Sequence, residues 1–174
     1  MKVLVAYATS EGQTRKIVQA MSSRIGGLGH DVESFDTSGI PRDLHVEAFD
    51  RIIVAGSVHE RRHQKSVEVF ALAHSEVLRA KPTMFVSVSL AAAFEDSLAD
   101  ARGYVDSFVR EVGWQPGQTL LVAGALHHGE YDYFSEQILE HIVLKDKDVA
   151  HPEEDREFTD WQALAKATEA FVRA

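Results

Sequence analysis

The sequence predicts an α/β three-layer sandwich: a five-stranded parallel sheet in the order 2-1-3-4-5, covered by helices on both faces. Two observations carry this reading. Short apolar runs rich in β-branched residues recur along the chain, and such runs suit strands buried on both faces. Between them lie longer segments whose apolar residues recur at helical spacing. Strands alternating with helices build a parallel sheet with helical layers on either side. In such sheets ligands bind beyond the carboxyl ends of the strands, at the switch point beside strand 1.

Each element has its own signal. Lys2 to Tyr7 is the first apolar run, and Ile17, Val18, Met21 and Ile25 follow at helical spacing. His30 to Asp36 is a weaker strand candidate, with Val32 and Phe35 as its apolar residues. Thr37 to Glu47, with Gly39 and Pro41, reads as loop or short helix. Asp50 to Val58 is a continuous β-branched strand, and Val67, Phe70, Ala71, His74, Val77 and Leu78 form one helical stripe. Pro82 to Leu90 is the fourth strand, followed by a helix carrying Leu98, Ala101, Val105, Phe108, Val109 and Val112. Gln118 to Gly124 is the fifth strand, and Phe134 to Val143 a short amphipathic helix. Lys145 to Glu157 is charged and linker-like. The capping box Thr159-x-x-Gln162 is expected to open a last helix through Val172.

Composition bounds the chemistry. At 174 residues the chain is expected to form a single domain over 1–174. It has no cysteine, which excludes disulfides, thiol catalysis and iron–sulfur ligation by thiolates. Redox chemistry would need an organic cofactor or a non-thiolate metal. The net charge of −9 disfavours nucleic acid and anionic membrane surfaces. The longest nearly apolar run, Met84 to Phe94, is too short to span a bilayer, and no signal peptide is expected.

Three turns should meet at the switch point. The first, Thr9-Ser10-Glu11-Gly12-Gln13-Thr14, joins a strand to a helix N-terminus, whose unpaired N–H groups and partial positive charge suit a phosphate. Gly12 allows close approach, and Thr9, Ser10 and Thr14 can donate hydroxyl hydrogen bonds. Ser10-x-x-Gln13 also fits an ordinary capping box. The turn has no lysine and no G-x-G-x-x-G, so it is neither the nucleotide-triphosphate loop nor the dinucleotide fingerprint. The second turn follows strand 3 from Ser57, Val58 and His59, and the third follows strand 4 from Ser87, Val88, Ser89 and Leu90.

The first turn resembles the FMN phosphate loop of flavodoxins, [ST]-x-T-G-x-T: Thr9, Gly12 and Thr14 match, and Glu11 stands where that loop has a hydroxyl. Glu11-Gly12-Gln13-Thr14 is close to the D-G-Q-T of one subgroup, the short menaquinone-dependent protoporphyrinogen IX dehydrogenases. Ser87-Val88-Ser89-Leu90 resembles its S-V-N-L, and Trp114-Gln115-Pro116 its W-x-P. Ala123-Gly124-Ala125-Leu126 matches A-G-A-L, and Thr159-Asp160-Trp161 matches T-D-W. The resemblance covers nearly the whole chain, with two departures. The loop after strand 3 is His59-Glu60-Arg61-Arg62-His63, where the subgroup's is rich in tyrosine, glycine and histidine. The subgroup's basic segment after A-G-A-L carries Glu130, Asp132, Glu136 and Glu140 here.

The resemblance implies a flavodoxin-like fold with FMN held by Thr9 to Thr14, the second and third turns flanking its ring. It implies an oxidoreductase passing hydride from protoporphyrinogen IX to flavin N5 and then to a quinone, with no protein acid or base named. An electron shuttle of the flavodoxin type, working with a redox partner protein, is the alternative, and the acidic charge supports it. A domain that has lost its flavin is a third reading. Arg61 and Arg62 are candidate partners for substrate carboxylates, with surface charge as the plainer role. His59, His63, His127 and His128 lie on expected loops without a carboxylate pattern, so no metal site is expected. His74, within an apolar stripe, reads as a hydrogen-bonded core histidine. The expected location is cytoplasmic, at most peripheral to a membrane, without stable insertion.

Overall fold

A computed structural model describes residues 1–39, 43–126 and 155–174. The central sheet follows the order β2-β1-β3-β5-β6, built from Asp31–Asp36, Lys2–Tyr7, Arg51–His59, Thr83–Ser89 and Gln118–Ala123. All four pairings are parallel, with registers Lys2↔Asp31, Val3↔Arg51, Ile52↔Thr83 and Met84↔Gln118. The five strands expected from the sequence thus stand in the expected order. β4 (Arg62–His63) adds antiparallel to the end of β3, and β7 (Ala125–Leu126) pairs with β8 (Arg156–Glu157) in a separate ribbon.

Alternating residues of the inner strands feed two cores, as expected for strands covered on both faces. Val3, Val5, Ile53 and Val86 meet Ile17, Met21 and Ile25 of α1 (Gln13–Gly27) and Leu164 and Phe171 of α5 (Trp161–Arg173). Leu4, Ile52, Val54 and Phe85 meet Val67 and Phe70 of α2 (Lys65–Ala73) and Leu78 of α3 (Ser75–Ala80). On the same side lie Phe108 of α4 (Leu98–Val112) and the buried Trp114. Phe85 stacks on Phe108 with ring centroids 4.3 Å apart.

Several local expectations are corrected. The stripe from Val67 to Leu78 is two helices, breaking at His74 (φ −111°, ψ 19°). That histidine is half-buried, its ring centroid 4.7 Å from that of Phe70. α1 begins at Gln13 with no side-chain cap, so Ser10-x-x-Gln13 does not form a capping box. Nor does Thr159-x-x-Gln162: Asp160 is the N-cap of α5, its Oδ1 accepting from the Ala163 N–H at 2.9 Å. Of 37–47, the described part holds a 3-10 turn at Val46–Ala48. The expected helix Phe134 to Val143 and most of the segment Lys145 to Glu157 lie outside the described residues.

Candidate functional site

The carboxyl ends of β1, β3, β5 and β6 open on one cleft. Thr9, Ser10, Glu11, Gln13 and Thr14 line it from the first turn, and Ser57, Val58 and His59 from the end of β3. Val88, Ser89 and Leu90 come from the end of β5, and Gly124 and Ala125 follow β6. The cleft is shallow and open, about 450 Å³ with its open mouth included. Two residues expected here stand behind the lining. Gly12 is the N-cap of α1, and Ser87 is wholly buried in β5.

The first turn is shaped by Gly12, whose φ of 95° is left-handed, a conformation that costs any other residue free energy. The Gly12 N–H is satisfied locally, donating to Thr9 Oγ1 at 2.9 Å. The first helical bond of α1 runs from the Lys16 N–H to the Gly12 carbonyl at 3.1 Å. The N–H groups of Gln13, Thr14 and Arg15 therefore have no partner within the helix, and no side chain caps them. Beside them the Thr14 hydroxyl is buried and, among the described residues, bonded to nothing. A buried unpaired hydroxyl at an uncapped helix N-terminus lacks an acceptor, and an anion is the acceptor that such a place favours.

The other walls are neutral. Among the described residues no Lys or Arg lines the cleft, so the positive potential these residues offer comes from N–H dipoles instead of full charges. Glu11 reaches across to His59, Oε1 to Nδ1 at 3.9 Å, linking the first and second turns. Gln64, at the entry to α2, ties the same two turns more firmly. Its Oε1 accepts from the Ser57 N–H at 2.9 Å, and its Nε2 bonds Ser57 Oγ and Ser10 Oγ. Gly56 leaves room for that amide: a Cβ there would stand 3.2 Å from Gln64 Oε1.

The architecture now has a family. A profile of the flavodoxin domain family matches residues 4–152. The chain belongs to that family. It is 25% identical over 166 residues to a protoporphyrinogen IX dehydrogenase [quinone] of Escherichia coli strain K12, covering 95% of this chain and 91% of that one. A Leishmania major protein of the same name is 21% identical over 175 residues, covering 98% of this chain and 74% of that one. Oxidised flavodoxin 1 from Bacillus cereus superposes with a TM-score of 0.61 at 14% identity, covering 99% of this chain and 98% of that one.

In this flavodoxin domain β3 runs on into β4. The segment expected as a loop is a hairpin, Val58 pairing with His63 and His59 with Arg62. Glu60 and Arg61 form its tip at φ 47° and 65°. Arg62 turns to an acidic network, with Nη2 2.6 Å from Glu111 and 3.6 Å from the buried Glu68. Arg61 is exposed, and neither arginine lines the cleft. His63 is not a loop histidine. It is buried in β4, its Nε2 2.9 Å from Ser87 Oγ and its ring packed on Phe85 and Phe108. Burial pushes its imidazole down to about 4. Among the described residues no three His, Asp or Glu side chains gather as a metal site; His127 and His128 lie outside them.

Sequence reasoning missed Gly124, Ala125, Gln64, Glu157 and Thr159. Gly124 and Ala125 carried a motif resemblance but no sign that β6 ends at the cleft. Glu157 and Thr159 reach Gln13 from 144 and 146 residues away, a separation at which one sequence offers no pairing signal.

Proposed function

We propose that the cleft holds FMN and that the protein is an oxidoreductase acting on protoporphyrinogen IX or a similar reduced tetrapyrrole, with a quinone as acceptor. The observation that carries the cofactor reading is the buried, unpartnered Thr14 hydroxyl beside the uncapped N-terminus of α1. The backbone N–H groups of Gln13, Thr14 and Arg15, with the hydroxyls of Thr14 and Ser10, would hold the phosphate. Ser57, Val58 and His59 on one side and Val88, Ser89 and Leu90 on the other would hold the flat ring. The family membership supports this, and the names of the E. coli and L. major relatives support the substrate and acceptor.

FMN, when bound, supplies the hydride acceptor, and the protein's part is to bind, orient and shield it. Gln64 fixes the first turn against the second, so both sides of the cleft keep one spacing. Arg61, exposed at the hairpin tip two residues beyond the cleft-lining His59, would meet a substrate carboxylate. Arg62 is committed to Glu111 and Glu68. No described helix is long and apolar enough to cross a membrane, and a cytoplasmic location with transient quinone contact fits the negative charge. The same charge favours a shuttle that docks on basic partners. Anaerobic stopped-flow mixing of the flavin-loaded protein with protoporphyrinogen separates the two. Fast bleaching of the flavin absorbance is expected of the enzyme, and a flavin left oxidised would refute the enzyme reading.

A further inference from the structure

Gln13 stands at the head of α1, and its side-chain amide is held in one orientation by two groups from the far end of the chain. Nε2 lies 2.9 Å from Thr159 Oγ1 and 3.1 Å from Glu157 Oε2. The Thr159 hydroxyl spends its proton on the Ala123 carbonyl, 2.7 Å away, so towards Gln13 it can only accept. An ionised carboxylate likewise only accepts. Both partners therefore demand the NH₂ end of the amide, and the carbonyl end must face the other way. That oxygen, Gln13 Oε1, is buried and has no hydrogen-bond partner among the described residues. Gln13 as a whole is 6% exposed, yet it lines the cleft.

Glu157 is itself well anchored. Its Oε1 accepts from Trp161 Nε1 at 2.9 Å, and Lys16 Nζ stands 3.4 Å from Oε2. Partial burial pushes its carboxyl up, but the bonds from Gln13, Trp161 and Lys16 outweigh burial and hold it below the ordinary carboxylate range. It remains an acceptor at neutral pH.

We propose that Glu157 and Thr159 are positioning residues that lock the Gln13 amide with its carbonyl oxygen presented to the ligand, where it accepts a hydrogen bond from a hydroxyl of the ligand's polyol chain. The inference rests on FMN as the ligand, whose ribityl chain lies between its phosphate and its ring and carries such hydroxyls. A buried carbonyl oxygen left unmatched is costly, so the site selects for a donor there.

The test compares FMN with a 5-phosphopentyl flavin, which keeps ring and phosphate but has no chain hydroxyls. Each is titrated into flavin-free protein, following flavin fluorescence. The native protein should prefer FMN by roughly ten-fold or more, the worth of about one hydrogen bond. Gln13→Met should remove most of that preference. Glu157→Gln combined with Thr159→Val should do the same, and adding Gln13→Met to that pair should cost nothing further. Thr159→Ser keeps the hydroxyl and should keep the preference. Circular dichroism identifies any variant that fails to fold; the native and Thr159→Ser titrations still decide if one does. Undiminished preference in folded Gln13→Met, or equal binding of both flavins by native protein, overturns the positioning inference and leaves the FMN reading standing. Native protein that binds neither flavin overturns both.

Discussion

Thr14 and His63 are two buried polar side chains with opposite demands. The Thr14 hydroxyl wants an acceptor, and a charged phosphate would give it a bond worth about 1.5–3 kcal/mol. Thr14→Ala should therefore weaken FMN binding by that amount and leave the fold intact, as titration and a thermal melt would show; unchanged affinity would remove Thr14 from the site. His63 instead must stay neutral. Its folded value of about 4 lies below the ordinary 6.5, so between those values the unfolded chain binds the proton and the folded chain does not. Stability from this group is then full above about pH 6.5 and is lost as pH falls towards 4, by at most about 3 kcal/mol. Urea unfolding across that window should show a shallower pH slope for His63→Gln than for the native protein; equal slopes would contradict the burial argument. Arg61→Gln should weaken capture of a carboxylate-bearing substrate and leave FMN affinity unchanged, measured by substrate saturation and flavin titration.

At the scale of elements, the β3–β4 hairpin holds two non-glycine residues, Glu60 and Arg61, in the left-handed region. Two-residue hairpins with that backbone prefer Asn-Gly, and the left-handed conformation costs other residues roughly 1–2 kcal/mol each. Glu60→Asn with Arg61→Gly should raise stability by about 1–2 kcal/mol, read as a higher denaturant midpoint at constant slope; a lower midpoint would show that the Glu60 or Arg61 side chain earns its strain. No sequence pattern announced this hairpin, because Arg62-His63 is too short for an alternation and His59 to His63 is polar. The strands were legible for the converse reason. Runs such as Ile52-Ile53-Val54-Ala55 are apolar at every position, and only a sheet covered on both faces needs that. The helix over Val67 to Leu78 was legible as a stripe but not as two helices, since His74 keeps the periodicity while its backbone leaves the helical region. Most of the cleft was legible because the first turn combines a glycine with hydroxyls between strand and helix. Its support by Gln64, Glu157 and Thr159 was not, because tertiary hydrogen bonds leave no local trace.

Over the whole molecule, the net charge of −9 sets how it meets other surfaces. A basic residue gains about 1 kcal/mol near an anionic bilayer, and a surplus of acidic ones forfeits that attraction. The protein should stay in the supernatant with anionic vesicles at physiological salt, and pelleting that persists at high salt would point to apolar insertion. The sheet order brings four strand ends to one cleft, and the chain's last elements are tied back to the first turn through Gln13. One binding site at the carboxyl edge is what this arrangement predicts. Titration of flavin-free protein with FMN, followed by flavin fluorescence, tests that most directly. Saturation is expected at one equivalent, with riboflavin, which lacks the phosphate, bound at least ten-fold more weakly, in line with a lost charged hydrogen bond of about 1.5–3 kcal/mol. Absence of saturable FMN binding, or equal affinity for riboflavin, would contradict it.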